Sequence, residues 1–168
     1  MKALIPVGTF EVNPKQRERF VSGKLWQEWH DKYSEIFDDD DLRLAESQPG
    51  YHFYEWLAAI LLHHSTGYLS LVEKYQYTAK KHKRKEQVLK RLNSPTLSKA
   101  LEYQGDYGYV QCPDLLVYAR DFSDWYFCEV KGGRDKLTEK QEHHFQALAD
   151  LTGKPVRLVE FSLARKRA

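Results

Sequence analysis

Cysteine is scarce in this chain. Cys112 and Cys128 are the only two in 168 residues. They lie in apolar runs without C-x-x-C spacing, which argues against a disulfide framework or a zinc site and suits a reducing, cytoplasmic setting. Long apolar runs are missing too. No window approaches the roughly 18 uninterrupted apolar residues of a membrane span, and residues 1–10 lack the charged start and apolar stretch of an export signal. The expected protein neither crosses a membrane nor anchors in one. An excess of either charge is also lacking: 26 basic residues stand against 24 acidic, a formal charge of +2. Affinity for a polyanion must then come from where the charges sit rather than from their sum. No internal repeat or low-complexity segment interrupts the chain.

With 42% hydrophobic residues, the length suffices for one core and falls short of two domains. Residues 1–48 read as a partly helical accessory arm broken by Pro6, Gly8, Pro14 and Gly23. Its Trp26, Trp29, Tyr33, Ile36 and Phe37 recur at helical spacing and are expected to pack on a main domain at 49–168. Asp38 to Asp41, with Glu35 and Glu46 and relieved only by Arg43, reads as a solvated loop because like charges repel.

From Tyr51 to His64 the residues Phe53, Trp56, Leu57, Ile60 and Leu61 form a helical stripe. Glu55 is followed one and two turns on by Ala59 and Leu62, so an acid lies along an apolar flank and needs a reason to be there. Tyr68 to Tyr77 reads as a strand, and Lys80 to Lys99 as a basic helix. Two more strands, Tyr107 to Arg120 and Asp124 to Lys131, are expected to form a hairpin turning at Asp121, Phe122 and Ser123. Thr138 opens a helix as N-cap, with Gln141 three residues on in a capping-box spacing. Gly153 ends it, and Pro155 to Phe161 forms a last strand. The order helix, strand, basic insertion, two strands, helix, strand describes an α/β fold with a mixed central sheet.

The hairpin carries the chemistry. Side chains alternate along a strand, so Glu129 and Lys131 in CEVKGG share one face. Asp114, in CPDLLVY, opens the apolar part of the preceding strand, and ordinary register would bring the two carboxylates together near one end of the sheet. Two carboxylates and a lysine beside the irregular backbone of Pro113 and Gly132-Gly133 suit a hard divalent cation with oxygen ligands, magnesium first. Such a cation eases attack on a phosphodiester by neutralising charge and aligning water, with Lys131 orienting that water or helping to deprotonate it. Taken alone, an E-x-K in a strand is more often a surface ion pair.

The run PDLLVYARDFSDWYFCEVKGGRDKLTEKQ, from Pro113 to Gln141, resembles the PD-(D/E)xK nucleases and, among them, the VRR-NUC (virus-type replication-repair nuclease) family; the resemblance extends over about residues 50–162. It implies a restriction-endonuclease-like fold with an αβββαβ core and a magnesium-dependent nuclease, manganese substituting, that hydrolyses DNA. By the same resemblance Asp114 and Glu129 are the metal-binding acids, the Val130 carbonyl a backbone ligand, Lys131 the catalytic lysine, and Gln141 the glutamine opening the next helix. A further glutamate on the first helix is implied; Glu55 fits it best, with Glu73 and Glu46 as rivals. Branched DNA, a junction or flap, is the implied substrate, and a homodimer the implied assembly.

For holding DNA, the sequence offers Lys81, Lys83, Arg84, Lys85, Lys90 and Arg91 in the basic stretch, and Arg165, Lys166 and Arg167 near the end. No base-reading module is recognisable, which favours recognition of shape over sequence. The adjacent pairs His63-His64 and His143-His144 diverge around a helix and read as surface residues rather than metal ligands. Tyr103, Tyr107 and Tyr109 read as strand packing rather than base-stacking platforms, and the two cysteines as small buried fillers. The alternative to a nuclease is a nucleic-acid clamp or accessory protein on the same fold without turnover.

Overall fold

The apolar stripes and alternating runs of the sequence resolve into five strands and seven helices in a computed structural model that describes residues 2–72, 75 and 82–164. The strands are β1 (Leu4–Val12), β2 (Leu69–Leu71), β3 (Leu115–Tyr118), β4 (Trp125–Gly132) and β5 (Val156–Leu163). They form one mixed, open sheet in the order β1-β5-β4-β3-β2. β1, β5 and β4 run parallel, whereas β3 and β2 are antiparallel to their neighbours. The helices are α1 (Pro14–Ser22), α2 (Leu25–Lys32), α3 (Asp39–Ser47), α4 (Phe53–Thr66), α5 (Lys83–Leu92), α6 (Pro95–Asp106) and α7 (Glu139–Thr152). The chain is thus α/β, with the expected succession α4, β2, β3, β4, α7, β5 and a helical insertion of α5 and α6. Among the described residues no helix is long and apolar enough to cross a membrane.

β4 is covered on both faces, and its alternation sorts what lies on each. The Tyr54 ring of α4 stacks on Phe161, the β5 partner of Gly132, so Val130 and Gly132 look toward α4. Glu129 and Lys131 look the other way, where Gln141 at the start of α7 reaches Glu129. Gly132 has no room for a side chain, because a Cβ there would fall within the Tyr54 ring. Gly132→Ala must therefore displace Tyr54 from Phe161. Overpacking of this kind costs about 1–3 kcal/mol, to be read as an earlier urea unfolding midpoint at unchanged m-value.

Residues 1–48, expected as an accessory arm, build the same core as the rest. β1 adds an edge strand beside β5, Phe20 packs its ring on Trp29, Phe53 and Trp56, and Phe37 stacks on Trp56 with centroids 3.8 Å apart. The acidic cluster is not a loop. Asp38 and Asp41 form a capping box, each side chain accepting the other's backbone N–H, and Asp39 to Asp41 fill the first turn of α3. Acids there meet the positive end of the helix dipole, which offsets their mutual repulsion.

Other boundaries shift for equally local reasons. The basic stretch divides at Asn93, which is left-handed, and at Ser94, which caps α6 with Pro95 in its first turn. α6 then runs to Asp106, so the strand expected from Tyr107 shrinks to β3, and Gly108 and Tyr109, both left-handed, turn the chain between them. Of the strand expected at residues 68–77, β2 keeps three residues; Glu73, Lys74, Gln76 and Tyr77 lie outside the described residues. His144, expected at the surface, is buried with its ring against Tyr103 and Tyr107. Cys128 is the buried filler expected, but Cys112 is only half-buried. The hairpin turn, the α7 capping box and the stop at Gly153 are found as read.

Candidate active site

Two strands and two helix starts deliver the site. The β3–β4 ladder ends at the pair Leu115 and Cys128, and one further step of that register puts Asp114 opposite Glu129. There the ladder gives way to a side chain: Asp114 Oδ2 accepts the Val130 N–H at 2.8 Å. Asp114 is thereby fixed against β4, so the two acids converge across neighbouring strands as expected. Glu55, in the first turn of α4, hydrogen-bonds the same Asp114 carboxyl. Of its two rivals, Glu46 is exposed on α3 and Glu73 lies outside the described residues.

On the α7 face, Glu129 Oε1 accepts hydrogen bonds from Lys131 Nζ at 3.0 Å and Gln141 Nε2 at 3.2 Å. The capping box orients Gln141: its Oε1 takes the Thr138 N–H at 3.1 Å, which turns the amide NH2 toward Glu129. One local motif therefore starts the helix and aims a donor into the site. Lys131 also lies 3.5 Å from Asp135. Around these groups opens a cleft of about 810 Å³, lined by Glu55, Asp114, Glu129, Val130, Lys131 and Gln141 among others.

The electrostatics are those of crowded acids. Burial raises the pKa of both Asp114 and Glu129, and the charge of Asp114 raises Glu129 further; the Val130 N–H and Lys131 pull the other way. Burial alone would lower Lys131, but Glu129, Asp135 and Asp114 outweigh it and raise it. The lysine is thus held as an ammonium, a donor rather than a base. Glu129 Oε2 is buried with no N–H or O–H donor on it, and the Glu129 and Asp114 carboxyls lie within hydrogen-bonding reach of each other. A buried carboxylate oxygen facing a second acid needs a proton or a cation between them.

No protein-family model and no curated protein matches this chain.

Donor chemistry therefore carries the question of a metal. Among the described residues, no three Asp, Glu, His or Cys side chains stand as a finished cage. Magnesium seldom requires one: it commonly takes one or two carboxylates and completes its shell with water and substrate phosphate. Asp114 and that Glu129 oxygen supply such a pair, all-oxygen and hard, with the Val130 backbone lining the same cleft.

Of the cationic residues assigned from sequence, none that the structure describes lines this cleft. Lys85 is 1% exposed and its Nζ sits 2.9 Å from Asp41 Oδ1, so it faces the core and not a ligand. Arg84 interacts with Tyr118, and Arg91 lies over the Phe122 ring at 4.6 Å, at the end of β3 opposite Asp114. Lys83 is exposed on α5, and Lys90 pairs with Glu86 at 3.6 Å. Lys81, Arg165, Lys166 and Arg167 lie outside the described residues. The cleft instead carries Lys136 and Lys140, from the loop before α7 and its first turn. Sequence reading passed over them because they are single lysines among acids, without the density of a basic run.

Proposed function

We propose that this protein is a magnesium-dependent nuclease that hydrolyses phosphodiester bonds in DNA, on a restriction-endonuclease-like scaffold resembling the VRR-NUC family. The observation that supports the reading is the meeting of the Asp114 and Glu129 carboxyls across the β3–β4 register, with a buried Glu129 oxygen that no N–H or O–H donor reaches and Lys131 beside it. A structural ion pair on a strand would not need a second acid buried against the first.

Each group has a distinct task. Asp114 and Glu129 supply anionic oxygens to the cation, which when bound neutralises phosphate charge and acidifies a water. The Val130 N–H keeps Asp114 aimed, and Gln141 keeps Glu129 from rotating away. Lys131, held charged by its carboxylate neighbours, donates to the oxygen that gains charge as the phosphorus is attacked. Lys136 and Lys140 neutralise flanking phosphates at the rim.

Incubation with a four-way junction, a flap and a linear duplex tests this, with magnesium or EDTA and with Asp114→Asn alongside. The expected result is cleavage of at least one DNA with magnesium, none with EDTA, and none by the variant. Metal-independent binding without cutting would favour the clamp.

A further inference from the structure

Among the described residues, most exposed large apolar side chains are only slightly over a third exposed, but three stand far above that: Tyr51 at 79%, Val110 at 77% and Tyr107 at 60%. All three ring the candidate active site. Tyr51 and Val110 line the cleft itself, and Val110, Gln111 and Lys140 are shared with an adjoining apolar groove of about 410 Å³ walled by Tyr103, Tyr107 and His144. Leaving such surface in water is unfavourable, by roughly 25 cal/mol per Å², so its confinement to one rim asks for an occupant.

The rim is also built with strain. Tyr109 is left-handed at φ 64 directly after Gly108 at φ 73, a conformation that disfavours a tyrosine and projects Val110 outward. Tyr107 is backed by rings, with Tyr103 at 4.9 Å and His144 at 5.7 Å between centroids, so its position is set while its outer surface stays open. Val110 precedes Asp114 by four residues, a reach of at most ~14 Å.

We propose that Tyr51, Tyr107 and Val110 form a stacking rim for unpaired bases of a DNA strand whose phosphate lies at Asp114 and Glu129. The inference rests on the nuclease reading for the placement of that phosphate. Apolar faces flanked by Lys136 and Lys140 match the chemistry of a single strand, which presents flat bases beside a charged backbone. A paired duplex keeps the faces of its internal bases stacked on one another. The rim thus makes the site selective for DNA unpaired next to the cut.

The test uses the full chain with calcium in place of magnesium, and labelled single-stranded and blunt duplex oligonucleotides read by anisotropy. Tyr107→Ala and Tyr51→Ala should each weaken single-strand binding about tenfold and change duplex binding less than twofold, with Tyr107→Phe behaving as wild type. A 2-aminopurine in the single strand should be quenched on binding and regain fluorescence with Tyr107→Ala, which a merely structural role would not produce. Equal losses on both DNAs, or unchanged single-strand affinity in both alanine variants, would overturn the rim. The arms separate the two readings: base stacking without cleavage in magnesium rejects the nuclease and keeps the rim, whereas cleavage with no single-strand preference does the reverse.

Discussion

Lys131→Ala is expected to lower the rate of DNA cleavage by about a hundred- to a thousandfold, with DNA affinity almost unchanged. The ammonium sits 3.0 Å from Glu129 and is 7% exposed, too enclosed to act as a general phosphate anchor. Its contribution therefore falls on charge that develops only during attack, which is lost from kcat rather than from binding. A second consequence has a definite sign. Lys131 is among the groups that hold the Glu129 pKa down against burial and the Asp114 charge. Removing it raises that pKa further, so the acid limb of the rate profile should move to higher pH as a cation competes with a more tightly held proton. Single-turnover rates between pH 6 and 9, with affinity measured alongside, check both points. Wild-type cleavage by the variant, or an equal loss of affinity and rate, would remove Lys131 from the chemistry.

The β3–β4 hairpin is legible because its geometry is local. Alternation in β4 puts Glu129 and Lys131 on one face whatever surrounds the strand, and the short connection from Tyr118 to Trp125 fixes register closely enough to bring Asp114 across from Glu129. Gln141 was equally readable, since the capping box that starts α7 is the same hydrogen bonding that orients its amide. What failed was partly local and partly set by partners distant in sequence. The tyrosines around 103–109 have strand propensity, yet the Ser94-Pro95 cap commits the segment to a helix, and two left-handed residues then end it. Tyr107 consequently stands on a helix end beside the site instead of inside a sheet. His143 and His144 diverge around α7 as expected, but the divergence carries His144 inward against α6 rather than leaving both at the surface.

The basic stretch shows the limit most clearly, because the charge of Lys85 says nothing of whether its partner is a phosphate or a carboxylate 44 residues away. Its partner Asp41 does double duty, capping α3 through one oxygen and receiving Lys85 Nζ through the other. The pair thus ties the helical insertion to the N-terminal helices.

Breaking that tie should be strongly destabilising. Asp41 and Lys85 are 2% and 1% exposed, and removing one member of a buried ion pair leaves the other uncompensated at a cost of about 3–5 kcal/mol. Lys85→Met keeps most of the volume, so the loss measured is electrostatic. Burial raises the Asp41 pKa from 3.8 to about 7, Lys85 opposing. The folded state therefore holds a proton that the unfolded chain has released, and this group's contribution to stability falls as pH rises from about 3.8 to about 7. Without Lys85 the folded pKa rises further and the decline continues into alkaline solution. Lys85→Met should consequently lose more stability at pH 8 than at pH 5 in urea unfolding. Asp41→Asn combined with Lys85→Met should recover most of the loss and flatten its pH dependence, since no charge is then left at this contact. Equal destabilisation at both pH values would mean that packing, and not the buried carboxylate, holds α5 to α3.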